Sequence, residues 1–438
     1  MPVLLYCKSM ALARNQIILI GLGVVVVIGL VVLIIFGVKQ PQSELSGNLT
    51  FWGVFDNSSV IDNAIQSYKK IHPKVEISYR QLNADTYETD LINALAGENP
   101  PDILMFHNAW LPKHFNKVAP FSENQIVLKD FKSLFPTVVE QDFAPDGVIY
   151  ALPLYIDTLA FFYNQDIFDN KGVALPPKNW TEFENLVPKL RTLDKTGRIT
   201  KPAAAIGGSN KSVNRGTDLL NLLMLQTGTK MTRDDFSAAT FNSDEGLNAT
   251  LFYTKFANAA SPLYTWNDSL PYSLDSFASG ETAMMFNYSY QLGFLKEKNP
   301  FLKFGVAPML QPENAGQAVN YANYWGLAAS AKGRNRAAAQ DFILFMTTNP
   351  SISQKYLKST GKPPALRSLI NGYLTDPDLG IFARQALTAR SWPQVDSAAT
   401  ETIFSQMIES VITGKLSADR ALSEAEDKVT QLMERRIR

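Results

Sequence analysis

Three observations predict an α/β protein of two lobes behind a single transmembrane helix. At 438 residues the chain exceeds the size at which one hydrophobic core stops growing. From Leu49 to Phe106 the apolar residues switch back and forth between strand alternation and helical spacing. Ile17 to Val38 is an uninterrupted apolar run without a charged residue, and at the helical rise it spans roughly 30 Å, one bilayer core.

The apolar run is expected to stay attached as an anchor over residues 16–38. It is longer than the apolar region of a cleaved signal, and Phe36-Gly37-Val38-Lys39-Gln40-Pro41 offers no small-residue cleavage site. Lys8 and Arg14 precede it, which places residues 1–15 in the cytoplasm and the rest outside. Residues 39–48, polar and interrupted by Pro41 and Gly47, read as a linker.

The body then begins. Leu49 to Phe55 reads as a strand, and Val60, Ala64, Tyr68 and Ile71 recur at helical spacing. Val75, Ile77 and Tyr79 alternate, Tyr87, Leu91, Ala94 and Leu95 are helical, and Ile103 to Phe106 is a further strand. This β-α-β-α-β order predicts parallel pairing, with ligand groups gathered beyond the carboxyl ends of the strands. After Leu152-Pro153, Thr158 to Tyr163 reads as a strand buried on both faces. Thr181 and Glu184 have the spacing of a capping box for the helix that follows, which Pro188 should kink. Ala283 to Phe286, Phe304 to Ala307 and Trp325 to Ser330 read as strands, Asn335 to Thr347 as a helix, and two amphipathic helices around Gly414-Lys415 close the chain.

Composition narrows the chemistry. Lysine plus arginine (41) equals aspartate plus glutamate (41), so there is no global field for a polyanion, and nucleic-acid binding is not expected. Cys7 is the single cysteine, which rules out internal disulfides and cysteine-based metal centres. His72, His107 and His114 lack the spacing of a helical metal site, and no phosphate loop, dinucleotide fingerprint or complete GxSxG elbow occurs. Neither a cofactor nor a metal is expected. Asp56, Asp102 and Asp157 stand at or near strand ends, but nothing in the sequence pairs two of them as a hydrolase needs; Asp102 reads as a turn or strand-start acid.

Planar rings with amide or acid neighbours recur at the strand ends. They are Trp52 with Asp56 and Asn57, Trp110 with Asn108, Tyr155 with Asp157, Asn287 with Tyr288 and Tyr290, and Asn323 with Tyr324 and Trp325. A carbohydrate needs both kinds of group, because its C–H faces lie on rings while its hydroxyls need donors and acceptors together.

The run from Leu152-Pro153 through Tyr163-Asn164-Gln165-Asp166-Ile167-Phe168 to Asn179-Trp180-Thr181-Glu182-Phe183 resembles the first crossover of the extracellular solute-binding proteins of ABC importers. The resemblance is to their large carbohydrate-binding family, which includes maltose-binding protein. Phe277-Ala278-Ser279-Gly280-Glu281-Thr282-Ala283-Met284, Gly305-Val306-Ala307-Pro308 and Tyr324-Trp325-Gly326-Leu327 resemble later pieces in the same order. The resemblance implies a periplasmic-binding-protein-like fold with a mixed or parallel sheet in each lobe. Lobe 1 would hold residues 49–156 plus 326–367, and lobe 2 residues 157–325 plus 368–438. It further implies a monomeric, non-catalytic binder that closes by a hinge over a mono- or oligosaccharide and delivers it to an ABC permease. Asp157 and Tyr290 fall at sugar contacts of the family, Trp325 at the return crossing, and Arg367 near the third, where it could donate to a hydroxyl, clamp an anion or serve as a surface residue. No lipid-attachment cysteine follows the apolar run, so the anchor at residues 16–38 would hold the binder at the membrane instead. A secreted carbohydrate-active hydrolase and a ligand sensor with a signalling partner are the competing readings.

Overall fold

The computed structural model describes residues 45–437. The apolar run Ile17 to Val38 lies outside them, and no helix among the described residues is long and apolar enough to cross a membrane.

The first sheet follows from the alternation read in the sequence. Gly47–Gly53 pairs in parallel with Val75–Gln81 on one side and Ile103–His107 on the other, with Phe51 opposite Ile103. Leu49 and Phe51 turn into the core with Val54, Tyr68, Phe106 and Phe342, all nearly inaccessible to water. The later strand Trp325–Ser330 joins antiparallel to Ile103–His107 and also pairs Val118–Ala119 and Leu152–Pro153, which makes the sheet mixed. Gly326 is required in that strand: a Cβ there would stand 2.3 Å from the Leu152 carbonyl oxygen. Asp102 pins the start of its strand, since its carboxylate accepts from the amides of Thr50 (2.9 Å) and Arg334 (3.1 Å).

The second lobe departs from parallel pairing. Its three-stranded sheet is antiparallel, with Ala160–Asn164 between Met284–Asn287 and Phe304–Ala307. The strand expected from Thr158 to Tyr163 is broken at Leu159, and the piece Asp157–Thr158 pairs elsewhere. Phe161, Phe183, Tyr253, Phe286 and Phe404 build the core of this lobe, and the helices Ser397–Ile412 and Ala418–Ile437 contribute Met407, Leu422 and Val429 to it. The helix Trp180–Leu190 is capped by Asn179, whose side chain accepts from Glu182 N (2.8 Å), and not by Thr181; Glu182 reaches back to Lys178 N (2.7 Å), so the capping box sits two residues earlier than its spacing suggested. The helix runs on through Pro188 to Leu190.

A third small sheet joins the lobes. Asn320–Asn323 lies between Asp157–Thr158 and Ala389–Arg390, so three chain passages meet there, with Asp157 opposite Asn323. Tyr155 bridges to Pro364 beside it.

Candidate functional site

A cleft of about 710 Å³ opens between the lobes next to the connecting sheet. The first lobe lines it with the residues that end its strands. Ile103–His107 delivers His107, Asn108 and Trp110, and Trp325 begins the returning strand. Trp325 is the hub of an aromatic wall, its ring 5.0 Å from Trp110, 5.0 Å from His107 and 5.6 Å from Phe55, all edge to face. Phe55 holds the left-handed region at φ 65 and is half exposed. A non-glycine residue in that region is strained, and such strain concentrates at binding sites. Burial pushes the His107 imidazole down to about 4, so it is neutral at physiological pH. Its Nδ1 accepts from Ala109 N (3.3 Å), which leaves Nε2–H to donate to Asn323 Oδ1 (3.2 Å).

The second lobe supplies Tyr290, Trp392, Arg215, Asp218 and Glu401. Tyr290 is half exposed and stacks on buried Tyr288, with centroids 5.6 Å apart and planes inclined by 15°. Tyr288 donates its hydroxyl to Asp218 Oδ2 (2.7 Å), and the same carboxylate oxygen pairs with Arg215 Nη2 (2.7 Å). Trp392 donates Nε1–H to Asn221 Oδ1 (3.0 Å), which fixes the indole against the helix Gly216–Gln226. Burial, and then the charge of Asp218, raise the Glu401 carboxyl above its ordinary value.

Two lysines tie the cleft to its frame. Lys362 Nζ is 2.6 Å from Asp56 Oδ1 and lies over the Tyr155 ring at 4.7 Å. Lys113 reaches Glu88 in its own lobe (2.9 Å) and Asp396, the cap of the helix Ser397–Ile412, in the other lobe (2.8 Å). His114 and Lys113 together hold Glu88 down at about 2.

Of the residues singled out in the sequence, Asn108, Trp110, Tyr155, Tyr290, Asn323 and Trp325 line the cleft. The others have structural partners. Asp56 is buried against Lys362 and the Tyr356 hydroxyl (2.8 Å), and Asn57 caps the helix Ser58–Lys69 through Val60 N (3.3 Å). Trp52 lies on the first sheet under the Arg80 guanidinium at 5.4 Å. Asp157 is 1% exposed and accepts from Ser289 N (3.0 Å), Ser289 Oγ (2.7 Å) and Thr158 N (2.8 Å). Burial pushes its carboxyl up to about 7. Asn287 donates to Asn214 Oδ1 (3.0 Å), and Tyr324 donates to Asp142 Oδ2 (2.8 Å). Arg367 donates Nε–H to the Phe135 carbonyl (2.8 Å), so it ties two segments together away from the cleft.

Sequence reasoning missed Phe55, Arg215, Asp218, Tyr321, Lys362, Trp392 and Glu401. A period-two signal was available for Tyr321, because Tyr321, Asn323 and Trp325 alternate toward the cleft while Tyr324 points the other way into the core. Arg215 and Trp392 lie outside regular elements, where no periodicity marks them. No group of three or more potential metal ligands clusters among the described residues.

A mixed-sheet lobe and an antiparallel-sheet lobe, joined by three passages with an aromatic-walled cleft between them, define a two-lobed solute-binding protein. The chain matches the bacterial extracellular solute-binding protein family over residues 54–351 and belongs to it. The maltotriose-binding protein of Pyrococcus abyssi is 23% identical over 357 residues, spanning 76% of this chain and 69% of that protein. The sn-glycerol-3-phosphate-binding periplasmic protein UgpB of Salmonella typhimurium is also 23% identical, over 88% of this chain and 92% of its own length. Among solved structures, the sugar-binding protein MalE of Xanthomonas citri superposes with a TM-score of 0.74 at 19% identity, covering 89% of this chain and 98% of that one, a likeness of fold.

Proposed function

We propose that this chain is an extracytoplasmic carbohydrate receptor of an ABC importer, held at the membrane by residues 16–38. Lobe 1 comprises residues 49–156 plus 326–367 and lobe 2 residues 157–325 plus 368–438, with Trp325 at the boundary already paired into the first-lobe sheet opposite His107, and they hinge at the connecting sheet. The carrying observation is the composition of the cleft: Trp110 and Trp325 on one wall and Tyr290 and Trp392 on the other, with amide, carboxylate and guanidinium groups between them. Rings accept the C–H faces of a sugar, and the polar groups read its hydroxyls. The names of relatives such as the maltotriose-binding protein support the same ligand class.

Ligand held by both walls gains contacts that the open form lacks, and this difference drives closure. The closed form then presents the sugar to a permease, and the membrane tether raises its local concentration there. No chemical step is required of the protein.

Calorimetric titration of the full-length chain with maltotriose, a galactooligosaccharide and mannitol, alongside small-angle scattering, tests this. A saturable isotherm with one of them and a smaller radius of gyration on binding are expected. Binding of none, or recovery of the oligosaccharides cleaved, overturns the proposal; cleavage would favour the hydrolase reading.

A further inference from the structure

The second-lobe wall of the cleft holds two polar atoms that the fold leaves unmatched. Arg215 Nε and Thr217 Oγ1 are both shielded from solvent, and neither has a hydrogen-bond partner. Thr217 is only 1% exposed, and both residues line the cleft. Buried polar groups are almost always satisfied, so a pair of orphans on one wall calls for an explanation. They also share one structural feature. Arg215, at φ 62, is the cap residue of the helix Gly216–Gln226 and gives it no side-chain capping bond. An uncapped helix start offers backbone donors and a positive dipole end to whatever fills the space beside it.

Taken alone, a guanidinium, a hydroxyl and a helix start would suit an anion. The surrounding charges oppose one. Arg215 is already matched by Asp218 at 2.7 Å, with Tyr288 beneath the guanidinium at 5.2 Å. Glu401 lies on the same wall, and its carboxyl is raised by burial and by Asp218, as expected for two acids that feel each other. Lys362, the other cationic side chain lining the cleft among the described residues, is matched by Asp56 at 2.6 Å. A phosphate or carboxylate would therefore find no unmatched cation and would lie beside Asp218 and Glu401. A hydroxyl group does not meet this conflict: it accepts from Arg215 Nε–H, donates to a carboxylate, and exchanges a hydrogen bond with Thr217 Oγ1 in either sense.

We infer that Arg215, Thr217 and Asp218 form a subsite for a pair of neutral hydroxyl groups, so the ligand is an uncharged sugar or polyol and not a sugar acid or a phosphorylated polyol. This rests on the carbohydrate reading above and narrows it. Discrimination against anions comes from a repulsive element, Asp218 with Glu401, as much as from the attractive one.

The test is titration of the full-length chain and its variants with maltotriose, mannitol, glucuronic acid and glycerol 3-phosphate, after a thermal melt has shown each variant to be folded. The wild type should bind a neutral probe and neither anionic one. Thr217→Val keeps the shape and removes the hydroxyl, and should weaken neutral binding by about three- to tenfold, the usual weight of one hydrogen bond. Asp218→Asn leaves the Arg215 charge uncompensated, and should weaken the neutral probe while giving measurable binding of glycerol 3-phosphate or glucuronic acid. Tighter wild-type binding of an anionic probe than of any neutral one overturns the inference. So does a Thr217→Val and Asp218→Asn pair that binds as the wild type does while Trp325→Ala loses binding, an outcome that leaves the carbohydrate reading standing. A panel in which no probe binds overturns both.

Discussion

Replacing Asp56 with asparagine should destabilise the protein strongly while leaving the sugar-facing walls intact. The carboxylate is 5% exposed, and it is met by Lys362 Nζ at 2.6 Å and the Tyr356 hydroxyl at 2.8 Å. Lys362 also touches that hydroxyl at 3.0 Å and lies over Tyr155. With Asp56→Asn the ammonium keeps only neutral partners, and stranding a buried charge in this way costs about 3–5 kcal/mol. Shedding the proton sets the ceiling: neutralising an amine of ordinary pKa at pH 7 costs at most about 5 kcal/mol. Burial already pulls the Lys362 value below the ordinary one against the attraction of Asp56, which lowers that ceiling. The expected loss is therefore about 3 kcal/mol. Lys362→Met strands the carboxylate instead and should cost a similar amount. The double variant removes both charges and should lose only about 1 kcal/mol, since swapping a buried pair for neutral groups is often nearly free. Urea unfolding at pH 7, followed by tryptophan fluorescence, measures all four proteins. An Asp56→Asn protein within about 0.5 kcal/mol of the wild type, or a double variant as unstable as the two singles summed, would refute the reasoning.

Three further outcomes are expected. Trp325→Ala removes the hub of the aromatic wall and should weaken a bound neutral sugar about tenfold in calorimetry; unchanged affinity would show that the ligand does not stack on this wall. Burial raises Asp157 to about 7 and Asp142 to about 6, so the native state holds these protons to higher pH than the unfolded chain does. Their favourable contribution is complete below the ordinary carboxylate range and disappears as pH rises to 6–7; Glu88, held low, acts oppositely in the acid range, and His107, held down at about 4, acts oppositely up to the ordinary imidazole value, one group against two. The melting temperature should therefore fall between pH 5 and 8, and fall less in Asp157→Asn; equal slopes would contradict this. Lys113→Met cuts the Asp396 contact between the lobes, a partly exposed pair worth about 0.5 kcal/mol. Scattering should show the unliganded protein more open, and an unchanged profile would deny the pair a part in closure.

The first lobe was legible because its strands and helices follow one another locally, and each carries its own period. Leu49, Phe51, Val75, Tyr87, Leu91 and Ile103 all turn inward in the elements their spacing predicts. The antiparallel sheet of the second lobe was not legible, since Ala160–Asn164 finds Met284–Asn287 and Phe304–Ala307 only after long intervening segments, and pairing direction leaves no mark in any one strand. The site divides in the same way. Rings at strand ends reached the cleft in Trp110, Tyr155, Tyr290 and Trp325, because a strand end in these lobes is a cleft edge. The acids Asp56 and Asp157 did not, because their partners Tyr356, Lys362 and Ser289 are distant in sequence and consume them. An isolated acid in an apolar stretch announces a partner without saying whether that partner is protein or ligand.

A crystal structure of the full-length chain grown with a neutral sugar that it binds in solution tests most directly whether the two aromatic walls hold an uncharged carbohydrate between the lobes. A sugar ring should lie against Trp325 or Trp392, with its hydroxyls within hydrogen-bond distance of Arg215, Thr217 and Asp218. A sugar bound anywhere outside this cleft, or one in the cleft that touches none of these residues, would contradict it.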